Sequence, residues 1–220
     1  MRSTPQAFRA VLLLPVLCLL VVFNCGCLGT MANLIHAGWG NLVPASFDQL
    51  AGRKVAVLCM SSSSSFGNST AAAEIAERVE RKLKVRVPEL TLIEQQEIED
   101  WMDRNDWDEL DYSELANGIG CDFLIAVDFD NFSLYEGQTL YKGRSDIGIN
   151  VFETAKGEVV FKLDPTLIEF PHNSGQHTAD TREADFRDRY LEVLAAYVAR
   201  QFYSYDSKED FARDPTFVIN

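Results

Sequence analysis

Four stretches of this chain carry residue types that could do chemistry. Cys25 and Cys27 flank a single glycine in "FNCGC". Ser61 to Thr70 read "SSSSSFGNST". Asp128 and Asp130 form an Asp-x-Asp, and His172 and His177 share a segment with Glu169 and Asp180. A Cys-x-Cys pair binds metal with further ligands, but no His or acid stands in the eight residues after Cys27. The Asp-x-Asp would place two carboxylates on one side of a strand, where a divalent cation wants a third oxygen ligand. No matching acid cluster can be picked out by spacing, so the pair is expected to mark where a sheet face meets water. The two histidines have four residues between them, a zinc-compatible gap, but no further Cys or His lies near. Neither a Ser-His-Asp nor a Cys-His arrangement can be assembled, because Cys59 is expected in the core and His36 in a tether. No catalytic residue, metal or cofactor is therefore expected. The serine-rich stretch lies between a strand and a helix start, where backbone N–H groups and the helix dipole favour anions. Ser63, Ser64, Ser65, Gly67, Asn68, Ser69 and Thr70 are its candidate ligand- or partner-contacting residues. The stretch lacks the lysine of a phosphate-binding P-loop. A merely solvated loop is the competing reading.

What precedes the cysteine pair points to export. Arg2 and Arg9 are the only Lys, Arg, Asp or Glu before Asp48, and Ala10 to Phe23 are apolar throughout apart from a proline. A basic start, a short apolar run and a small residue before a cysteine compose a bacterial lipoprotein signal. The segment resembles a lipobox, with Gly26 before the cut and Cys27 as the lipidated N-terminus; it departs from that pattern at Asn24. Two alternatives stay open. The apolar run alone is shorter than the ~20 residues that span a bilayer, but an uncleaved anchor reaching Leu28 is physically feasible, as is ordinary secretion. Each of the three exports the body, since Arg2 and Arg9 stay on the cytoplasmic side.

The 220-residue chain has a net charge of −13; without Arg2 and Arg9 the body would carry 18 basic against 33 acidic residues, a net −15. Such a balance argues against nucleic-acid backbones and against electrostatic adsorption to an anionic bilayer. Membrane attachment would then rest on the N-terminal lipid. Two cysteines, Cys59 and Cys121, remain in the body. They are expected at opposite ends of parallel strands, too far apart for a disulfide.

The elements that must position these groups follow from periodicity. Residues 1–26 read as a signal peptide, 27–52 as the lipidated N-terminus and tether, 53–203 as one α/β domain and 204–220 as a C-terminal tail. Lys54–Met60 is a continuous apolar strand. A helix is expected from about Ser69 to Lys84, with Ala72, Ile75, Ala76, Val79 and Leu83 inward, Asn68 or Ser69 as cap, and Glu77, Arg78, Arg81 and Lys82 on the solvated side. A strand over Glu89–Ile93 comes next, then a helix with Ile98, Trp101 and Met102 inward. A short helix follows, with Asp111 and Glu114 at capping-box spacing and Asn117-Gly118 as its stop. From Cys121 to Tyr135, Phe123, Ile125, Val127 and Phe129 alternate with Leu124, Ala126, Asp128 and Asp130. The second set turns from apolar to acidic, so its cover must stop halfway. Two more strands, Gln138–Glu153 and Gly157–Asp164, are joined by a turn at Thr154–Gly157. A last helix is expected from near Asp180, capped with Glu183, to about Phe202. The order β-α-β-α-α-β-β-β-α predicts a mixed sheet, parallel in its first half and an antiparallel meander in its second, with helices on both faces. Between Glu97 and Glu114 nine acids face one base, Arg104. That run is either a solvated helix face or a docking surface for a basic partner.

The strand "KVAVL", the helix "AAAEIAERVERKL", the segment "LTLIEQQEIED", the strand "GCDFLIAVDF" and the hairpin "GINVFETAKGEVVF" together resemble the periplasmic lipoproteins related to the curli secretion channel and to the penicillin-binding-protein activator. The likeness spans about Lys54 to Phe202. The body is also similar to uncharacterised lipoproteins of planctomycete-like bacteria. The resemblance implies a non-catalytic envelope lipoprotein, anchored to a bacterial membrane and facing the periplasm, that serves as a protein-interaction or assembly module. It permits a homo-oligomeric ring, though the channel's membrane-spanning hairpins have no counterpart here. A small-ligand domain or enzyme using Ser61–Thr70 is the alternative from a different class.

Overall fold

A strand of seven residues that is apolar at nearly every position needs cover on both faces, and β2 (Lys54–Met60) receives it. The computed structural model describes residues 42–61, 66–107 and 111–207, with the backbone alone described at 66–69. The chain divides into the units Met1–Leu42 and Val43–Asn220; the fold is that of the second. After β2 come α1 (Phe66–Arg86), β3 (Thr91–Leu92), α2 (Gln95–Arg104), α3 (Tyr112–Ile119), β4 (Phe123–Glu136), β5 (Leu140–Glu153), β6 (Glu158–Phe170), β7 (Gln176–His177) and α4 (Glu183–Ala199). The two-residue strands β1 (Leu42–Val43) and β8 (Tyr205–Asp206) lie outside the main sheet. The sheet order is β3-β2-β4-β5-β6, with β7 also paired to β5. β2 runs parallel to β3 and β4, and β4, β5 and β6 form the antiparallel meander. The expected mixed α/β sheet with helices on both faces is what the chain forms.

Two cores result, one on each face. Val55 and Val57 of β2, Phe123, Ile125, Val127 and Phe129 of β4, and Ile147, Ile149 and Val151 of β5 pack against α1 and α4. Ala56, Leu58, Leu124 and Phe152 face Ile98, Leu115, Ala116 and Ile119 of α2 and α3. The α1 stripe Ala72, Ile75, Ala76, Val79 and Leu83 is buried as its spacing predicts, and each larger side chain contributes about 1.5–3 kcal/mol by leaving water. Phe47 and Leu50, upstream of β2, also join the core. Phe47 lies against Phe123 and Phe161, with ring centroids 5.6 and 5.8 Å away, and its N–H donates to the Gln201 carbonyl at 2.8 Å.

Several boundaries differ from the sequence expectation. β3 is only Thr91–Leu92, because Glu89 turns the chain at φ 54° after Pro88. Gly118 is not the stop of α3. The helix runs to Ile119 and ends on left-handed Gly120, while Gly118 lies beneath Trp101, whose ring atoms are 2.2 Å from where a β-carbon would stand. β6 continues past Asp164 and Pro165 to Phe170. An edge strand tolerates proline, and its register to β5 shifts there, from Leu163 opposite Ile149 to Thr166 opposite Ile147. α4 starts at Glu183 with no side-chain cap. The Asp180 N–H turns back to the His177 carbonyl, and the Glu183 carboxylate accepts from the Tyr135 hydroxyl at 2.5 Å instead of closing a capping box. The same helix ends at Ala199 rather than Phe202.

Candidate interaction surface

The two helical layers treat their charges in opposite ways. On the α1/α4 side, basic groups are consumed internally. Arg78 contacts Glu74, Asp188 and Glu192, the nearest at 2.7 Å; Lys82 binds Glu192; Arg187 reaches Glu74 at 2.8 Å. Arg78 and Lys82, expected on the solvated side of α1, are instead only 15% and 16% exposed under α4. Arg81 and Glu77 do stay in solvent.

On the α2/α3 side the acids find no such partners. Ile98, Trp101 and Met102 turn inward at helical spacing, toward the core shared with α3 and the sheet, which leaves Glu97, Glu99, Asp100 and Asp103 on the outer face of α2. Asp106, Asp111 and Glu114 continue the exposed acidic surface. Among the described residues none of these seven has a salt bridge. The lone base, Arg104, spends its Nε–H on the Asp100 carbonyl at 2.8 Å. Asp111 caps α3, its Oδ1 accepting from the N–H groups of Ser113 and Glu114 at 2.9 and 3.1 Å, as the sequence predicted. Gln95 ties α2 to the sheet, donating from Nε2 to the Val57 carbonyl at 2.7 Å and to Glu80 Oε1 at 2.5 Å. Burial raises the Glu80 carboxyl above its ordinary range, and the Gln95 bond only partly offsets this.

Where α3 ends its cover, the sheet face turns acidic. Asp128 and Asp130 project from β4 beside Asp146 and Asn150 of β5. Asn150 Nδ2 donates to Asp128 Oδ2 at 3.2 Å, and Asn131 Nδ2 donates to Asp146 Oδ2 at 2.7 Å. Burial, then the neighbouring Asp130, raises the Asp128 carboxyl; Asn150 and Lys162 oppose the shift. Tyr112, at the rim of α3, is raised by burial and by Asp128. A carboxyl raised above its unfolded value costs the fold nothing below the unfolded range. The cost appears as pH rises through that range to the raised native value, because the native state then holds the proton more tightly. Asp128→Asn is therefore expected to raise the thermal midpoint at pH 7.5 and to leave it nearly unchanged near pH 3. A lowered midpoint at pH 7.5, followed by circular dichroism, would contradict this reading.

The sequence-predicted residues land as follows. Cys27, Ser63, Ser64 and Ser65 lie outside the described residues. Gly67, Asn68, Ser69 and Thr70 belong to the first turns of α1 rather than to a loop, so neither Asn68 nor Ser69 is its cap. Register places Met60, the last residue before the serine-rich segment, opposite Asp128. β2 therefore delivers Ser61 to the acidic end of the sheet. Carboxylates there disfavour an anion. Cys59 and Cys121 are free thiols at opposite ends of the β2/β4 ladder, packed in different cores; burial, aided by Asp128, pushes the Cys59 thiol well up. His177 pairs with Leu140, and its Nδ1 accepts from the Ala179 N–H at 3.2 Å. Among the described residues no three of His, Cys, Asp and Glu gather as cation ligands, and no helix is long and apolar enough to cross a membrane. Sequence reasoning missed Tyr112 and Asn150, whose approach to Asp128 depends on how α3 and β5 meet β4.

No family model matches the chain. Nor does any curated protein. Solved structures with similar folds include the PelC dodecamer from Paraburkholderia phytofirmans (9% identity, TM-score 0.46, covering 74% of this chain and 95% of that one). They also include lipoprotein GNA1162 from Neisseria meningitidis (10%, 0.46, 67% and 96%) and the LpoB C-terminal domain from Salmonella enterica (15%, 0.38, 54% and 83%).

Proposed function

We propose that this chain is a non-catalytic, lipid-anchored envelope protein whose α2/α3 layer docks a basic protein partner. The observation that carries the reading is the asymmetry of charge pairing. Acids on α4 are matched by Arg78 and Lys82 of α1, and Glu74 of α1 by Arg187 of α4, whereas the exposed acids of α2 and α3 are left to solvent. Unmatched like charges on one helix face repel each other, and a cationic surface would relieve that repulsion and be steered toward it. The open acidic end of the sheet, with Asp128 and Asp130, lies on the same side and extends the field.

Cys27 supplies the anchor in this reading. An acidic body gains nothing from an anionic membrane surface, so attachment needs acyl chains, and more than one of them for stable anchoring. Intact-mass measurement of the chain purified from bacterial membranes is expected to find an N-terminus at Cys27 carrying acyl groups, and Cys27→Ser is expected to abolish the modification. An N-terminus at Met1 would overturn the lipoprotein assignment. Neutralising the acids of α2 and following partner retention tests the docking surface.

A further inference from the structure

β6 ends the sheet path, and among the described residues no strand pairs with its outer edge. At 13 residues it is long for an edge, and its row of backbone N–H and C=O groups is a template for another strand. Its outward side chains have an order of their own. Val159 stands in register with Phe152, Lys162 with Asn150 and Leu167 with Asp146, so all three share the α2/α3 face of the sheet, part of which no helix covers. Lys162 Nζ reaches Asp164 Oδ1 at 3.3 Å, which brings Asp164 to that face as well. Val159 and Leu167 are large apolar side chains 43% and 54% exposed. About Leu163 the strand is self-complementary. Lys162 and Asp164 are equidistant from it with opposite charge, and Val159 and Leu167 are equidistant from it and both apolar.

We propose that β6 pairs antiparallel with β6 of a second copy of this chain across a two-fold axis at Leu163. Lys162 then lies opposite Asp164 of the second copy, and Asp164 opposite Lys162, while each Val159 lies opposite a Leu167. Directly opposed side chains in an antiparallel pair come within contact, and opposite charges or apolar pairs there are favourable. An isologous contact of this kind closes on itself as a dimer. Pro165 and the bulged register blunt the edge against indiscriminate strand addition; the Lys–Asp inversion selects one register from those that remain. This contact is independent of the acidic docking layer, so its failure would leave that reading standing.

Single charge reversals test it. Lys162→Asp opposes two acids across each half of the pair, and Asp164→Lys opposes two bases; each is expected to raise the dimer dissociation constant by about tenfold or more. An equimolar mixture of the two variants restores both opposite-charge pairs and is expected to form a heterodimer. Light scattering and sedimentation of the full chain in mild detergent read the mass, and circular dichroism checks that each variant stays folded. The expected pattern is dimer for the parent, monomer for each reversal and dimer for the mixture. A monomeric parent at high micromolar concentration, a larger assembly indifferent to the reversals, or a mixture that stays monomeric would each overturn the proposal.

Discussion

Gly143→Ala is expected to destabilise the domain by about 1–3 kcal/mol, the cost of forcing extra volume into a packed core. The β-carbon it adds would stand 2.5 Å from Cγ of Tyr190, and that ring has nowhere to go. Tyr190 is fully buried, its ring stacks on Phe132 at 5.8 Å, and its hydroxyl donates to the Ile168 carbonyl at 2.8 Å. Burial, with Asp146 and Glu169 nearby, pushes the phenol far above its ordinary range, so it stays a donor at any working pH. Tyr190→Ala should cost about 3–5 kcal/mol, as removal of a buried aromatic ring does. Domains of this kind are stable by about 5–15 kcal/mol in total, so either change consumes a large share. The pair is expected to be sub-additive, because the β-carbon at 143 moves into space the lost ring has left; coupling of about 1 kcal/mol or more is the signature. Urea unfolding of the two single variants and the double variant measures it. An unperturbed Gly143→Ala, or strict additivity, would show that α4 does not lie on β5 through this contact.

The second large effect is on binding. Glu99, Asp100 and Asp103 sit on the exposed side of α2, at spacings of three and four that make them repelling neighbours. The combined variant Glu99→Gln, Asp100→Asn and Asp103→Asn removes that repulsion. It also removes an acid from the C-terminal part of the helix, where the dipole disfavours negative charge. Its fold is therefore expected to be at least as stable as the parent's, which separates a binding defect from unfolding. Partner affinity should fall by about tenfold or more, roughly 1.4 kcal/mol, and the parent's binding should weaken as salt rises, since exposed charges are screened beyond about 8 Å at physiological ionic strength.

The parts of this structure that were legible in the sequence are those set by local period. The alternation from Phe123 to Asp130 assigned each β4 side chain to its face, because a two-residue period admits no other arrangement once one face is apolar. The change from Ala126 to Asp128 correctly announced the end of the α3 cover. Asp111 was legible as a cap because the groups it satisfies are two and three residues away. What was not legible depends on distant chain. Arg78 and Lys82 read as solvated until α4 supplied Asp188 and Glu192, 110 residues on. Gly118 reads as a helix stop in sequence and is a seat for Trp101 in space. Pro165 signals a strand end, and only its place at the sheet edge lets β6 run through it. The acidic run from Glu97 to Glu114 was visible as composition. That its described acids have no salt bridge, while those of α4 are matched, required both helical layers to be placed.

The docking claim is tested most directly by quantitative co-purification from native membranes, with the parent chain and the triple α2 variant compared side by side at matched expression. A basic protein recovered with the parent, released by moderate salt and depleted about tenfold or more with the variant, is the predicted result. Equal recovery of the same partners by both chains would contradict the account.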